Sequence, residues 1–145
     1  MRCGWGGGQN HRFHLSDGIL IKDNHLVALR ALGMSLKDIV TKAKQNAPQD
    51  LKVEVEVTTT QEALEAVEAG ADIIMLDNMG TDEMRHVASL IPSQVEIEGS
   101  GGITLANIQT TAKTGVNIIS IGALTHSSKA LDMSLELEPD SLKIP

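Results

Sequence analysis

The sequence predicts an α/β domain of parallel strands, arranged as a (β/α) barrel. Three observations carry this. From Leu51 onward, short β-branched runs alternate with capped, amphipathic segments across short linkers, the pattern of consecutive βαβ units. Two of the runs, Val53–Val57 and Val95–Glu98, alternate aliphatic residues with glutamates. Lastly, isolated charged residues and glycine turns gather where strands should end, as in barrels that place working residues at the C-terminal ends of their strands.

Each element has a local reason. Gly18–Ile21 is expected as a strand, and Ser35–Asn46 as a helix capped by Ser35 and stopped near Pro48. Val53–Val57 is the next strand. A helix then opens at Thr60, read as its N-cap, and stops near Gly70. Ile73–Leu76 is apolar throughout and reads as a buried strand. Thr81 or Asp82 caps the following helix, which carries Met84, Val87, Ala88 and Ile91 on one face and is closed by Pro92. Val95–Glu98 is a strand, Thr104–Thr114 a helix stopped by Gly115, and Val116–Ile121 a strand. Leu131–Leu137 is a candidate final strand within a domain spanning residues 1–137, and residues 138–145 read as a loose tail.

Strand polarity separates a barrel from an open sheet. Period two puts Glu54 and Glu56 on one face of their strand and Glu96 and Glu98 on one face of theirs. If the apolar face meets the helices, the acidic face meets a polar lumen. By the same rule Lys22 and Asp77 stand at the C-terminal ends of their strands. Solvated faces of an open sheet would also account for the glutamates, though not for the gathering of unusual residues at strand ends.

Composition narrows the function. Of 145 residues, 41% are hydrophobic and only 1% aromatic, so the core must be aliphatic, as suits helices packed on parallel strands. The net charge of −7 and the near absence of aromatics argue against a nucleic-acid partner. No apolar run approaches a membrane span, and polar, glycine-rich sequence follows Met1 directly, so neither a membrane partner nor a signal peptide is expected. A single cysteine, Cys3, forbids an intrachain disulfide and fits a cytoplasmic location.

The block Gly6–Arg12, continued by Leu20–His25, combines flexible backbone, imidazoles and two permanent cations, a composition suited to gripping a small anion. The turns Ser100-Gly101-Gly102-Ile103 and Ser120-Ile121-Gly122-Ala123 follow consecutive strands. Glycines there let backbone amides approach a phosphate, and the first turn precedes an expected helix start. Glu56 and Asp77 end adjacent strands, where carboxylates can hold a divalent ion, contact sugar hydroxyls or stabilise a cationic transition state; pairing with Lys22 or Arg12 is the plainer alternative. Glu54 and Glu98 are read only as balancing lumen charge. His11, His14, His25 and Cys3 match no standard zinc spacing, and Gly4–Gly8 lacks both the preceding strand and the third glycine of a dinucleotide fingerprint.

In order along the chain, these motifs resemble quinolinate phosphoribosyltransferase. Gly6–Arg12 with Leu20–His25 is similar to the family's GGG-x-NHR and LIK-[DE]-NH signature. Val53–Val57 resembles its acidic strand, Met75–Met79 its LDN motif, Glu98–Ile103 its E-A-S-G-G-I turn, and Ile121–His126 its VGALTHS ending; Ala130–Leu135 is similar to its last strand. The resemblance implies an attack of the quinolinate ring nitrogen on phosphoribosyl pyrophosphate, release of pyrophosphate with Mg²⁺ as cofactor, and decarboxylation to nicotinate mononucleotide. It implies that His11, Arg12 and Lys22 bind the dicarboxylate, and that Lys22, Glu56 and Asp77 are the catalytic set. Glu56 and Asp77 would also serve the metal, directly or through water. Ser100, Gly101, Gly102, Gly122 and His126 would line the 5′-phosphate site. His14 stands where the family often has glycine, and Gly99 where it often has alanine.

A full barrel needs upwards of about 200 residues. The resemblance therefore implies an incomplete TIM-like barrel lacking its first strands and the family's N-terminal domain, which in its dimers helps to cover the partner's site. A homo-oligomer is expected, with weak activity for the chain by itself. A paralogue acting on another base and a non-catalytic phosphate-binding module are the alternatives.

Overall fold

A computed structural model of the chain describes residues 6–12, 14–48, 50–126 and 133. Its centre is a five-stranded parallel sheet made of β1 (Ile19–Ile21), β2 (Val53–Val57), β3 (Ile73–Asp77), β4 (Glu96–Ser100) and β5 (Ile118–Ile119). The strands lie side by side in chain order, so every crossover advances in the same direction. A doubly wound sheet reverses its order at the first strand, whereas a barrel wall does not. The expectation of a parallel, barrel-like α/β domain is met.

The connections are α1 (Asp23–Ala31) and α2 (Leu36–Asn46) between the first two strands, then α3 (Thr60–Glu68), α4 (Thr81–Leu90) and α5 (Ile108–Ala112); α6 (Ala123–His126) follows β5. The register places Leu20 beside Glu54, Glu54 beside Ile73, and Ile73 beside Glu96. Glu56, Met75 and Glu98 form the next row, with Ile118 beside Glu98. One face thus carries the glutamates. The other carries Val53, Val55, Val57, Ile74, Leu76 and Ile97, which are buried with Leu36, Ile39, Val40, Ala63, Ala66, Met84 and Val87 from the helices. Small residues on α3 let that helix lie close to the valine-rich strand, and the aliphatic composition is thereby accounted for.

Several boundaries differ from expectation, each for a local reason. α2 begins as expected, with Ser35 Oγ accepting from the Asp38 amide at 3.1 Å and the Asp38 carboxylate accepting from the Ser35 amide in return. The cap of α3 is Thr59, not Thr60, since Thr59 Oγ1 accepts from the Glu62 amide at 3.2 Å. Neither Thr81 nor Asp82 caps α4; Gly80 does so without a side chain, and Thr81 is already helical. The helix expected over Thr104–Thr114 shrinks to α5. Asn107 takes the place of its first turn, with Oδ1 accepting from the Thr104 amide at 2.7 Å and Nδ2 donating to the Gly102 carbonyl at 3.0 Å. Asparagine offers the backbone a local alternative to helix, and here it wins. The strand expected over Val116–Ile121 narrows to two residues. α1 was not foreseen from sequence because only Leu26 of it is buried, leaving no apolar stripe to read. The strand expected at Leu131–Leu137 (Met133 apart), the tail and Cys3 lie outside the described residues.

Leu76 is fully buried in the middle of the helix-facing layer. Leu76→Ala should destabilise the chain by about 2–5 kcal/mol, as large-to-small core changes do. Urea unfolding of the two proteins, read by circular dichroism, checks this.

Candidate active site

The C-terminal ends of the strands present one array. Lys22 follows β1, Glu56 is the penultimate residue of β2, Asp77 ends β3, and Ser100 ends β4. Glu56 is buried, with its proton affinity raised first by that burial and next by the Asp77 carboxylate. The Lys22 ammonium and the Asp23 backbone amide, at the N-terminus of α1, act in the opposite direction. Lys22 and Asp77 thus both act on Glu56, from the two strand ends beside it. Neither Lys22 nor Asp77 lies deep, which leaves the group reachable.

Asn78 locks this array to the first glycine turn. Its φ of 55° is the one left-handed value outside glycine among the described residues. That conformation turns the Asn78 amide toward the Ser100 carbonyl, 3.0 Å away, while Nδ2 donates to the Asp77 carboxylate at 2.8 Å. Asparagine is among the residues that tolerate such a backbone. Gly101 packs directly on it, since a Cβ there would sit 2.3 Å from Asn78 Oδ1 and 2.8 Å from the Asn78 nitrogen, and its φ is +80°. Glycine is required at this position by space and by backbone alike. Gly102 is exposed and open on its Cβ side, held from beneath by Asn107. Neither Asn78 nor Asn107 was singled out from sequence; the Asp-Asn dipeptide closing a strand was the available signal for Asn78.

The second turn lies beyond β5, beside the first because β4 and β5 are neighbours. Gly122 is exposed there, just before the short α6 turn, which His126 ends. The turn expected to open directly into a helix at Thr104 instead opens into the Asn107-held loop, and α5 begins only at Ile108.

His11 and Arg12 belong to a different part of the same face. With Glu54, Glu98, Lys52 and Ile118 they line a cavity of about 840 Å³ over the middle and N-terminal part of the sheet, and Lys22, Glu56 and Asp77 are not among its lining residues. Arg12 Nη1 donates to the Gly18 carbonyl at 3.1 Å. Burial, then the Glu98 carboxylate, pushes Glu54 up to about 7, with Arg12 opposing. His14 is exposed and does not line the cavity. Gly99 meets Thr111 and Met84 at 3.5–3.6 Å from a would-be Cβ, so the alanine frequent in the resembled family would fit.

A wall of parallel strands in chain order, with carboxylates at its strand ends and glycine turns after β4 and β5, defines a class, the (β/α) barrel domains. Residues 2–136 match the family described as quinolinate phosphoribosyl transferase, C-terminal domain, and the chain belongs to that family. It is 48% identical over 132 residues to the probable carboxylating nicotinate-nucleotide pyrophosphorylase of Bacillus subtilis, covering 91% of this chain and 44% of that one. With the carboxylating nicotinate-nucleotide pyrophosphorylase of Rattus norvegicus it shares 43% over 135 residues, at 91% and 44% coverage. The solved nicotinate-nucleotide pyrophosphorylase of Francisella tularensis superposes with a TM-score of 0.75 at 43% identity, over 89% of this chain and 44% of that one. The chain thus spans less than half the length of these relatives.

Gly101→Ala should displace Asn78, and with it the Asp77 carboxylate and the Ser100 turn. A loss of stability of roughly 2 kcal/mol or more is expected from the clash and the positive φ; thermal unfolding measures it, and Gly99→Ala, which meets only ordinary contacts, should change little.

Glu54 sets a pH dependence. The folded group holds its proton up to about 7, whereas an unfolded glutamate releases it near 4.5. Between these values the folded state binds more protons, so stability falls as pH rises through the window. The loss is bounded at about 3 kcal/mol. The unfolding temperature should drop by several degrees from pH 5 to pH 8 in chelator-treated protein, and Glu54→Gln should flatten that slope.

Proposed function

We propose that the chain is the catalytic barrel portion of a carboxylating nicotinate-nucleotide pyrophosphorylase, transferring the phosphoribosyl group of phosphoribosyl pyrophosphate to quinolinate. The observation that carries this is the Lys22–Glu56–Asp77 array, fixed through Asn78 and Gly101 to the Ser100 turn. In the reaction the ring nitrogen bonds to the anomeric carbon as the bond to pyrophosphate breaks. The 2-carboxylate then leaves as carbon dioxide, its bonding pair remains on the ring carbon, and a proton is taken up there.

The residues have distinct tasks. Positive charge develops on the ribose as pyrophosphate departs, and fixed carboxylates nearby stabilise it more in the transition state than in the ground state. Glu56 and Asp77 are the groups for this. Lys22 opposes the rise in Glu56's proton affinity and offers a cation to the incoming dicarboxylate. The Ser100–Gly102 and Gly122 turns, with His126, offer donors to the 5′-phosphate. His11 and Arg12 are assigned to the acceptor too, from the cavity over the middle and N-terminal part of the sheet.

Mg²⁺ suits this reading. Glu56 and Asp77 supply only carboxylate oxygens, from neighbouring strands and close enough that one charge perturbs the other, as a hard cation prefers. When bound with substrate phosphates, the ion neutralises charge on the departing pyrophosphate. A homo-oligomer in the cytoplasm completes the proposal; among the described residues no helix is long and apolar enough to cross a membrane.

The test is to fuse the chain to the N-terminal portion of the Bacillus subtilis relative and assay nicotinate mononucleotide from quinolinate. Activity is expected in the fusion and little in the 145-residue chain by itself. Glu56→Ala or Asp77→Ala should cost at least about a hundredfold in kcat, the scale of a lost electrostatic stabiliser. A folded fusion with no turnover, or one indifferent to both substitutions, would sink the proposal.

A further inference from the structure

The inner face carries a second cluster, made of His11 and two glutamates to which the proposed reaction gives no task. One donor atom each from His11, Glu54 and Glu98 lies within 4.8 Å of the others. The two glutamates come from β2 and β4, on either side of β3, and the imidazole comes from the segment before β1 that lines the same cavity. We propose that His11, Glu54 and Glu98 form a site for one divalent transition ion, of the kind represented by Zn²⁺ or Co²⁺, separate from the Glu56–Asp77 pair.

The glutamates point to a missing cation independently of the cluster's geometry. Glu54 is 8% exposed and Glu98 2%. Glu54 Oε1 and Glu98 Oε1 are buried without a hydrogen-bond partner among the described residues, although both side chains line the cavity. Unpartnered carboxylate oxygens at such depth are costly, and buried charges are normally paired or bound to metal. The nearby cations make no hydrogen bond to these two oxygens: Arg12 Nη1 donates to the Gly18 carbonyl, and the Lys52 ammonium pairs with Glu96 at 2.5 Å.

The donor set selects the ion. One imidazole nitrogen and two carboxylates make a mixed N/O site, which suits zinc and its neighbours, whereas Mg²⁺ prefers an all-oxygen octahedron and keeps its waters. Bonds of about 2.0–2.2 Å bring tetrahedral donors to within about 3–4 Å of one another. The exposed His11 side chain is able to move through the remaining distance. Three protein ligands leave a coordination position open toward the cavity, as in zinc sites that also accept water or a small molecule.

The experiment uses the purified 145-residue chain without substrates, so its outcome is independent of the transferase reading. Co²⁺ titration followed by visible d–d absorption, and Zn²⁺ titration by calorimetry, should each show one equivalent bound. Glu98→Gln, Glu54→Gln and His11→Ala should each weaken binding by at least about tenfold, an effect that even outer-shell partners reach. Glu56→Gln with Asp77→Asn should weaken it less than any of these, by lost charge alone, and excess Mg²⁺ should not displace the Co²⁺. Circular dichroism of each variant reports folding. His11→Ala removes only an exposed side chain, so it decides the matter if the glutamine variants fold poorly. Absence of binding at millimolar Co²⁺, or binding indifferent to His11→Ala and Glu98→Gln, overturns the proposal.

Discussion

The structure depends on burying one acidic face of a parallel sheet. Parallel strands are normally apolar on both faces because helices cover both. Here the helices cover one face with aliphatic side chains, and the opposite face sets Glu54, Glu56 and Glu98 among Met75, Ile73 and Ile118. The valine-rich layer supplies the driving force, and the glutamates draw on it. Their charges must be met by a cation, a proton or a polar lumen, and each remedy makes chemistry possible on that face. The same residues that weaken the sheet define where it can act.

The remedies differ along the strands. At the C-terminal ends, Glu56 is opposed by Lys22 and by the first amide of α1, so that a backbone dipole and a side chain share the compensation. At mid-strand Arg12 is the cation that opposes the rise at Glu54, and burial with the Glu98 carboxylate outweighs it, so that Glu54 holds its proton up to about 7. Two carboxylate clusters only two residues apart on β2 are thus compensated differently, one in part by Lys22 and a backbone amide and the other by proton or ion uptake.

Much of the fold was legible in the sequence because valine-glutamate alternation, capped helix starts and glycine stops are local signals. Val53–Val57, Ser35 and Gly70 needed no tertiary information. What was not legible depended on side chains that redirect the backbone. Asn107 replaces a helical turn, and Asn78 adopts a left-handed conformation so that Gly101 can pack upon it. The site behaved similarly. Strand-end positions identified Lys22, Glu56, Asp77 and Ser100 as neighbours, but spacing along the chain carried no sign that His11 would meet Glu54 and Glu98, each more than forty residues away. Sequence spacing finds metal ligands only when they share a turn or a helix; this cluster is assembled by sheet order.

Sheet order also couples the two clusters. Glu54 and Glu56 share a face and sit two residues apart, about 7 Å along the strand. The charge of Glu56 already raises the proton affinity of Glu54. A cation held by either cluster must lower the proton affinity of the other's carboxylates and, through the same repulsion between ions, weaken a second cation. Such linkage is reciprocal by thermodynamic necessity. An ion seated at His11, Glu54 and Glu98 would therefore favour ionised Glu56, the form that stabilises a cationic ribose, while disfavouring metal at Asp77. Which effect dominates is set by distance and screening. Glu56 lies one strand repeat from Glu54, whereas Asp77 is a further strand away, so the gain in Glu56 ionisation should be the larger of the two.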